Sequence, residues 1–394
     1  MRTTNRSIRA AAAGVVLAAA GALLAAAPAQ AATTSAATTS ATTTPAATAY
    51  GSQGAVFAQS DNTGGNTVVA YRRAGDGALT QAGVYATGGL GGVLDGSVVD
   101  HLASQHSLVY DQAHQLLYAV NAGSNTVTVF RVAGDRLVRT QVVSSGGQFP
   151  VSVAVHGDRV YVLNGLDGGS IQGFVLCGSQ LVPVADWHRA LGLDPTATPQ
   201  FTNTPGQVSF TPDGSALVVT TKANGNSIDV FPFDWDGLPS AQPVRNVEAG
   251  AVPFGFTFDS VGRLVVTEAG PNAVATFALA RDGKATQVSS TATGQSATCW
   301  IVRTGDKYYA SNAGSGSLSG FREGWHGTLT ALGNTTTDAG TTDAAVPADG
   351  RNLYVQTGAT GVVNEFRVQG NGALTMIGSV TVPDGIGGEG IAVG

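Results

Sequence analysis

Short apolar runs separated by turn residues recur along most of this chain. In each unit, a glycine- or aspartate-rich turn precedes an apolar run that ends in a polar residue. A small Gly/Asn loop follows, and a second, alternating run then ends in an aromatic residue. These aromatics are Tyr71, Phe130, Phe174, Phe231, Phe277, Phe321 and Phe366, at spacings of 44 to 46 residues except for two gaps of 59 and 57. A period of this length indicates a repeat architecture.

The second unit shows how one repeat divides into four strands. Its runs at residues 106–110, 116–121, 126–130 and 137–143 alternate apolar and polar positions and are rich in β-branched and aromatic residues. Turn residues separate them, and this combination is typical of strands. Four-stranded units at this spacing favour the blades of a β-propeller over a β-helix or a β-sandwich.

The two ends of the repeat determine the number of blades. The first unit begins at residues 55–59, which match a second strand, and residues 390–393 match a first strand without a blade of its own. Pairing these two segments would close the ring. The sequence therefore predicts an all-β, seven-bladed β-propeller of four-stranded antiparallel blades over residues 50–394, closed by the C-terminal strand in the first blade.

The two long gaps in the repeat locate two insertions. Residues 87–105 precede the second blade, and residues 187–206 precede the fourth. Each joins an outer strand to the next inner strand, so both are expected at the same mouth of the central channel. Long loops within a compact domain are usually functional or disordered.

The N-terminal 49 residues have a different composition. Arg2, Arg6 and Arg9 precede the apolar stretch 10–27, and the small residues at 29 and 31 suit a cleavage site, so residues 1–31 are predicted to be a signal peptide. A single membrane anchor is the alternative. The Ala/Thr/Ser segment 32–49 is predicted to be a disordered spacer. The mature protein is therefore expected to be secreted, with no membrane association after cleavage.

Charge and cysteine content narrow the range of partners. The formal net charge is −6, and it becomes −9 without the three arginines of residues 1–31. An acidic chain argues against binding nucleic acid, whose phosphates require clustered Lys and Arg. Cys177 and Cys299 are expected to be free, buried thiols, although export would also permit a disulfide. We expect a monomer with a small-molecule partner.

Several blade motifs resemble those of the seven-bladed lactonase family, which includes 6-phosphogluconolactonase and 3-carboxymuconate cyclase-like proteins. The resemblance covers roughly residues 54–394 and is carried by the segments 116–121 (LLYAVN), 210–214 (FTPDG) and 309–316 (YASNAGSG). It implies a propeller fold and activity on a small lactone or a muconate-type acid. A propeller that binds a ligand or protein on its loop face without catalysis is the alternative function, because propellers host many activities.

The resemblance also suggests site residues, and the chain departs from the family at two of them. Where the family often has His-x-His, this chain has Ser104, Gln105 and His106; where the family often has Gly-Pro-Arg-His, it has residues 204–207 (TPGQ). A family glutamate at the end of a second strand corresponds to Glu268. The lost arginine is the natural partner of a phosphate or carboxylate.

Opening a lactone requires a general acid or base and a group that stabilises the oxyanion. His106 and Glu268 are the predicted catalytic residues. His101, Gln207, Trp300 and Phe254 are the predicted substrate-binding residues. No cofactor is expected, although the polar residues that end the second strands, together with Glu268, offer the oxygen ligands that Ca²⁺ uses.

Overall fold

Residues 54–394 of a computed structural model are described, and they form seven antiparallel β-sheets. The predicted signal peptide (1–31) and spacer (32–49) lie outside the described residues. Six sheets have four strands and one has five. The innermost strand of each sheet contacts the innermost strands of two neighbouring sheets, and these contacts run around a closed ring. The predicted seven-bladed β-propeller is therefore confirmed.

Each blade runs from an inner strand beside the channel to an outer strand at the rim. In that order, blades 1 to 3 consist of β29 (Ile391–Val393), β1 (Ala55–Gln59), β2 (Thr67–Arg73), β3 (Leu79–Ala86); β4 (Leu108–Asp111), β5 (Leu116–Asn121), β6 (Thr126–Ala133), β7 (Arg136–Ser144); and β8 (Pro150–His156), β9 (Arg159–Asn164), β10 (Ser170–Cys177), β11 (Gln180–Pro183), with β12 (Arg189–Ala190) also on β10. Blades 4 and 5 consist of β13 (Gln207–Phe210), β14 (Ala216–Thr220), β15 (Ser227–Pro232), β16 (Val244–Val247); and β17 (Pro253–Phe258), β18 (Leu264–Glu268), β19 (Ala273–Leu279), β20 (Ala285–Ala292). Blades 6 and 7 consist of β21 (Thr298–Thr304), β22 (Lys307–Asn312), β23 (Ser317–Glu323), β24 (Leu329–Thr336); and β25 (Thr341–Ala345), β26 (Asn352–Thr357), β27 (Val362–Val368), β28 (Leu374–Thr381).

Helical structure is confined to single turns in the described region. These are the α-helical turn α1 (Gln200–Asn203) and four 3₁₀ turns at Ala122–Ser124, Ala185–Trp187, Lys222–Asn224 and Trp325–Gly327. None of these helices approaches the length and apolar character that crossing a bilayer requires.

Burial differs between strands because a blade packs against neighbours on both faces near the ring axis and meets solvent at its outer edge. The second strands β5 and β26 are buried at every position. The outer strand β20 has no buried residue. Continuous apolar runs therefore mark the second strands, whereas outer strands carry the polar residues.

The seven repeat aromatics all lie in third strands and are almost completely buried. In five blades, the pairing between the third and fourth strands shifts register directly before the aromatic, as at Tyr71 and Phe130. Such a bulge increases the local twist of a sheet. In these five blades, the aromatic therefore marks a bulge between the third and fourth strands.

The ring closes between its two ends, as the sequence predicts. Strand β29 pairs with β1 through Val56–Val393, Phe57–Ala392 and Ala58–Ile391. Because β29 supplies the inner strand of blade 1, no sheet edge remains open between the ends of the described chain.

The insertions meet on one face of the ring. We call this the upper face; it carries the loops between second and third strands and the connections between blades. The Phe201 N–H donates to the Asp95 carbonyl at 3.2 Å, and the Gln200 side chain accepts from the Asp95 N–H at 2.9 Å. On blade 7, Gly358 leaves no room for a Cβ atom, which would lie 1.8 Å from the Val99 carbonyl oxygen. The insertions therefore contact each other and the rim of the channel.

Both cysteines are free thiols. Cys177 is exposed at the end of β10, which corrects the expectation that both thiols are buried, and Cys299 is half-buried in β21. The expected absence of a disulfide matches their placement in the different blades 3 and 6.

Candidate active site at the upper mouth of the channel

The last residues of the first insertion cross the central channel and divide it. Gln105 donates to the Ile301 carbonyl at 2.8 Å and accepts from the Ile301 N–H at 3.0 Å, so blade 6 holds its side chain. The Ser104 carbonyl accepts a hydrogen bond from the Trp300 indole N–H. The Gln105 N–H donates to the Gly206 carbonyl at 3.0 Å. We call residues 103–107 the channel plug.

A cavity of about 440 Å³ lies above the plug. Both insertions contribute to its wall, as do loops of blades 4, 5 and 6, and most of the wall is apolar. This volume lies within the range of about 300–1,000 Å³ that is usual for small-molecule sites. We call it the upper cavity; its wall includes Val98, Asp100, Phe201, Lys222, Phe254 and Trp300.

Three buried carboxyl groups lie beside the upper cavity, and Asp100 is the one that lines it. The Asp100 and Glu389 side chains hydrogen-bond to each other. Glu389 accepts from the Ser104 N–H at 3.2 Å and from the Ser104 hydroxyl. The Glu389 N–H in turn donates to Asp61 at 2.8 Å. Strands β29 and β1 and the first insertion thus bring the three acids together.

Burial controls the protonation of this group. Burial, followed by the charge of Asp100, raises the pKa of Glu389 well above its usual range. Burial also raises the pKa of Asp100 and raises the pKa of Asp61 to about 7. Two adjacent carboxylates in a medium of low dielectric cannot both ionise easily. The hydrogen bond and the charge of Asp100 both raise the pKa of Glu389, so Glu389 is the member of the pair that holds the proton and donates it to Asp100.

A buried lysine completes the wall. Lys222 is 1% exposed, and its ammonium donates to the Ala103 carbonyl at 2.6 Å, the Phe201 carbonyl at 2.6 Å and the Thr204 hydroxyl at 3.1 Å. Burial lowers its pKa to about 8, and the nearby Asp100 opposes that shift. Lys222 lies 5.1 Å from the centre of the Phe254 ring. The ammonium thus joins the two insertions to blade 4.

Two predicted substrate-binding residues lie in the wall of the upper cavity. The Phe254 and Trp300 rings meet edge to face, with centroids 5.0 Å apart. His101, which was predicted beside them, does not line the cavity; its Nδ1 lies 3.2 Å from the Asp61 carbonyl oxygen. The wall therefore has an aromatic corner, formed by Phe254 and Trp300.

His106 belongs to the plug but does not line the upper cavity. It lines a lower cavity of about 380 Å³ together with inner-strand residues of blades 2 to 4. Gln207 is fully buried and uses its amide oxygen to accept from the Phe256 N–H at 2.7 Å. Its Nε2 therefore donates to His106 Nδ1 at 3.2 Å. Burial lowers the pKa of His106 to about 4, so the ring is neutral at pH 7.

Glu268 is not close to His106. It lies at the end of β18 in a separate cleft with Glu248 and Gln287, next to the outer strand of blade 5. Burial, followed by the charge of Glu248, raises the pKa of Glu268 to about 7. His106 and Glu268 line different cavities, so the structure does not bring the predicted catalytic pair together.

Asp343 provides a pH-dependent contribution to stability that is measurable. Burial in β25 raises its pKa to about 7, whereas an unfolded aspartate titrates near about 3.9. The folded chain holds this proton and the unfolded chain does not, so the contribution is full below about pH 4 and is lost as pH rises towards 7. The free energy of unfolding that Asp343 contributes changes by at most about 1.4 kcal/mol per pH unit.

Asp343→Asn should remove that pH dependence. Urea unfolding at several pH values between about 4 and 7 gives the free energy of unfolding of both proteins. We expect the difference between wild type and variant to move in favour of the variant as pH rises; a constant difference would contradict the shift. His106, whose pKa burial lowers, contributes with the opposite sign in both proteins.

The polar residues that end the second strands make hydrogen bonds within their own blades or to a neighbouring blade, as Thr220 does to the Phe254 carbonyl and Thr267 to the Cys299 carbonyl. The Asn121 amide donates to Thr126 and Thr128, and the Asn312 amide donates to Ser317 and Ser319. Within residues 54–394, no group of three His, Cys, Asp or Glu side chains is arranged to hold a metal ion. These amides stabilise hairpin loops, which is a common role for Asn.

Comparison with known proteins gives the fold a context. No protein-family model matches the chain, and no curated protein sequence matches it significantly. Solved structures do match. A candidate 6-phosphogluconolactonase of Bacteroides fragilis superposes with a TM-score of 0.69 over 89% of this chain and 100% of its own, at 19% identity.

Two further structures agree with the first. A candidate 6-phosphogluconolactonase of Bacteroides uniformis has a TM-score of 0.71 at 19% identity, over 86% of this chain and 98% of its own. The periplasmic gluconolactonase of Pseudomonas aeruginosa has a TM-score of 0.69 at 17% identity, also over 86% and 98%. The chain has the fold of the propeller lactonases. The resemblance drawn from the blade motifs is thus confirmed at the level of the fold, and identities below 20% carry no information on substrate.

Sequence reasoning did not select the acidic group and Lys222 of this propeller-lactonase fold. One signal was present: Asp100 interrupts an apolar run, with Val98 and Val99 before it and Leu102 after it, inside the first insertion. A single glycine separates Glu389 from the closing strand. Neither position repeats from blade to blade, so the periodicity gives no information about them.

Proposed function

We propose that this protein is a hydrolase that opens a small lactone in the upper cavity, and that it acts outside the cytoplasm, as residues 1–31 indicate. One observation carries the proposed activity: Asp100 lines an apolar cavity while a protonated Glu389 hydrogen-bonds to it. A carboxylate beside a protonated carboxyl is an arrangement that activates water in other hydrolases. The shared fold with lactonases supports the choice of lactone.

Each step of the proposed reaction has a group in the wall. The Asp100 carboxylate removes a proton from a water molecule as the water oxygen bonds to the lactone carbonyl carbon. The ring C–O bond then breaks, and the proton passes from Asp100 to the leaving ring oxygen, which gives a hydroxy acid. Glu389 keeps its proton and positions Asp100.

Lys222 has an electrostatic role in this mechanism. All three of its N–H groups donate to protein oxygens, so it does not hydrogen-bond to the substrate. Its charge lies in the wall of a cavity with low dielectric, where Coulomb interactions are stronger than in water. It therefore stabilises the oxyanion that forms when water attacks.

Binding without catalysis is the second candidate. The observation that favours it is that all three N–H groups of Lys222 already donate to protein oxygens, which also suits a static binding pocket. The two candidates differ in one measurable respect, because only a hydrolase releases acid from a lactone.

Filling the upper cavity tests the location of the reaction. Ala269→Trp places a large ring in the cavity, and we expect it to lower kcat/KM for lactone hydrolysis at least about tenfold. Ala249→Trp is the matched control, since Ala249 lines the Glu268 cleft instead. Acid release from a panel of γ- and δ-lactones is followed at constant pH. Loss of activity in Ala249→Trp alone would place the reaction beside Glu268. If the wild type hydrolyses no lactone, the hydrolase proposal is wrong and binding without catalysis is the function that remains.

A further inference from the structure

The charge of the upper cavity restricts the substrates that fit it. Among the described residues that line the upper cavity, Lys222 is the only cation. All three of its N–H groups donate hydrogen bonds to protein oxygens. A phosphate or carboxylate substituent needs several N–H donors, usually from arginine. An anionic substituent would therefore enter without an arginine partner and without a free lysine N–H group.

The acidic group adds a repulsive contribution. Asp100 is the member of the Asp100–Glu389 pair that ionises first, and Asp61 lies directly behind Glu389. Lys222 neutralises at most one negative charge. The net charge at the wall is thus zero or negative, which disfavours both a phosphorylated lactone and a muconate-type acid.

The wall also offers few partners for hydroxyl groups. Beyond Asp100 and Lys222, its polar side chains are those of Thr202, Asn272 and Cys299. A buried hydroxyl without a hydrogen-bond partner costs about 1–3 kcal/mol of binding free energy. A polyhydroxylated sugar lactone would place several such groups against the aromatic corner.

Apolar residues of both insertions lie at the mouth of the cavity. Val98 lines the cavity and is 83% exposed. Phe201 faces the cavity from the second insertion. A hydrocarbon substituent would contact the apolar wall inside and this rim outside.

We infer that the substrate of the upper cavity is an uncharged lactone with a hydrocarbon substituent, and not a phosphorylated, carboxylated or polyhydroxylated lactone. This inference rests on the proposed function for the reaction, and on the charge and apolar lining of the cavity for the substrate class. The lactone carbonyl would lie against Asp100, and the substituent would extend towards Val98.

A chain-length series tests the inference. δ-Lactones with methyl to octyl side chains are compared with glucono-δ-lactone and its 6-phosphate. Each buried methylene should raise kcat/KM about fourfold until the cavity is full. The two sugar lactones should be the poorest substrates. A flat series, or a preference for either sugar lactone, would overturn the inference.

Substitutions at two exposed valines distinguish an effect at the cavity mouth from the general effect of a new surface charge. Val98→Asp places a carboxylate at the mouth of the cavity, and we expect it to lower kcat/KM for the octyl lactone about tenfold while glucono-δ-lactone is little affected. Val261→Asp is the matched control, because Val261 is 70% exposed in the loop between β17 and β18, on the opposite face. Equal effects of the two variants on the octyl lactone would contradict the role of Val98.

Different experimental results would show that the substrate class is wrong or that the reaction is wrong. If no lactone is hydrolysed, the matching alkyl δ-lactams, which resist hydrolysis, are titrated by calorimetry. Affinity that rises with chain length then supports the ligand class although the hydrolase proposal falls. Hydrolysis that favours glucono-δ-lactone overturns the class and leaves the hydrolase proposal intact, and absence of both hydrolysis and lactam binding overturns both.

Discussion

Asp100→Asn is expected to lower kcat/KM for lactone hydrolysis about a hundredfold or more at neutral pH, since a positioned general base contributes about 10²–10⁴-fold. The amide has the size of the carboxyl group but cannot take a proton from water. The pairing with Glu389 survives in part, because the amide oxygen still accepts a hydrogen bond. Initial rates of acid release with an alkyl δ-lactone measure the effect.

The control for this experiment is Asp343→Asn. Asp343 is also a buried channel aspartate with a raised pKa, but it does not line the upper cavity. We expect this control to keep its activity within about threefold. If Asp100→Asn retains wild-type activity and fold, Asp100 is not the base and the proposed mechanism is wrong.

Lys222→Met is expected to destabilise the protein by about 3–5 kcal/mol, the usual effect of removing one member of a buried charged group. Methionine fills a similar volume, so the loss is mainly electrostatic. Two carbonyls and one hydroxyl lose their donor, and Asp100 and Glu389 lose the nearby positive charge. The free energy of unfolding from urea titration measures this effect.

The matched control for Lys222→Met is Lys284→Met. Lys284 is 74% exposed, and its ammonium lies 3.8 Å from Asp282, which is a weak surface pair. Its replacement should change stability by less than about 0.5 kcal/mol. A change below about 1 kcal/mol for Lys222→Met would mean that the insertions do not depend on this ammonium.

The fold was predictable because every blade repeats the same physical problem. Each second strand packs on both faces and becomes an apolar run, and each third strand ends near a buried aromatic such as Phe277. The predicted strand at residues 390–393 has no blade of its own and could pair only with residues 55–59. These local patterns need no knowledge of long-range contacts, and the structure confirms them.

The candidate site was only partly predictable, because it depends on contacts that no period encodes. Spacing located both insertions, and Phe254 and Trp300 were selected as residues near the mouth. His106, however, lines the lower cavity and Asp100 the upper one, although the two are six positions apart. Glu268 follows the family pattern but faces the outer strand of its blade.

The closing strand has a consequence for when the site exists during folding. Glu389 lies two residues before β29, yet it pairs with Ser104 and Asp61, 285 and 328 positions earlier. Until β29 docks on β1, the cavity therefore lacks the residue that holds its proton. Fraying of that short strand would abolish activity while six blades stay intact, so enzymatic activity would report the integrity of the ring closure before any spectroscopic sign of unfolding.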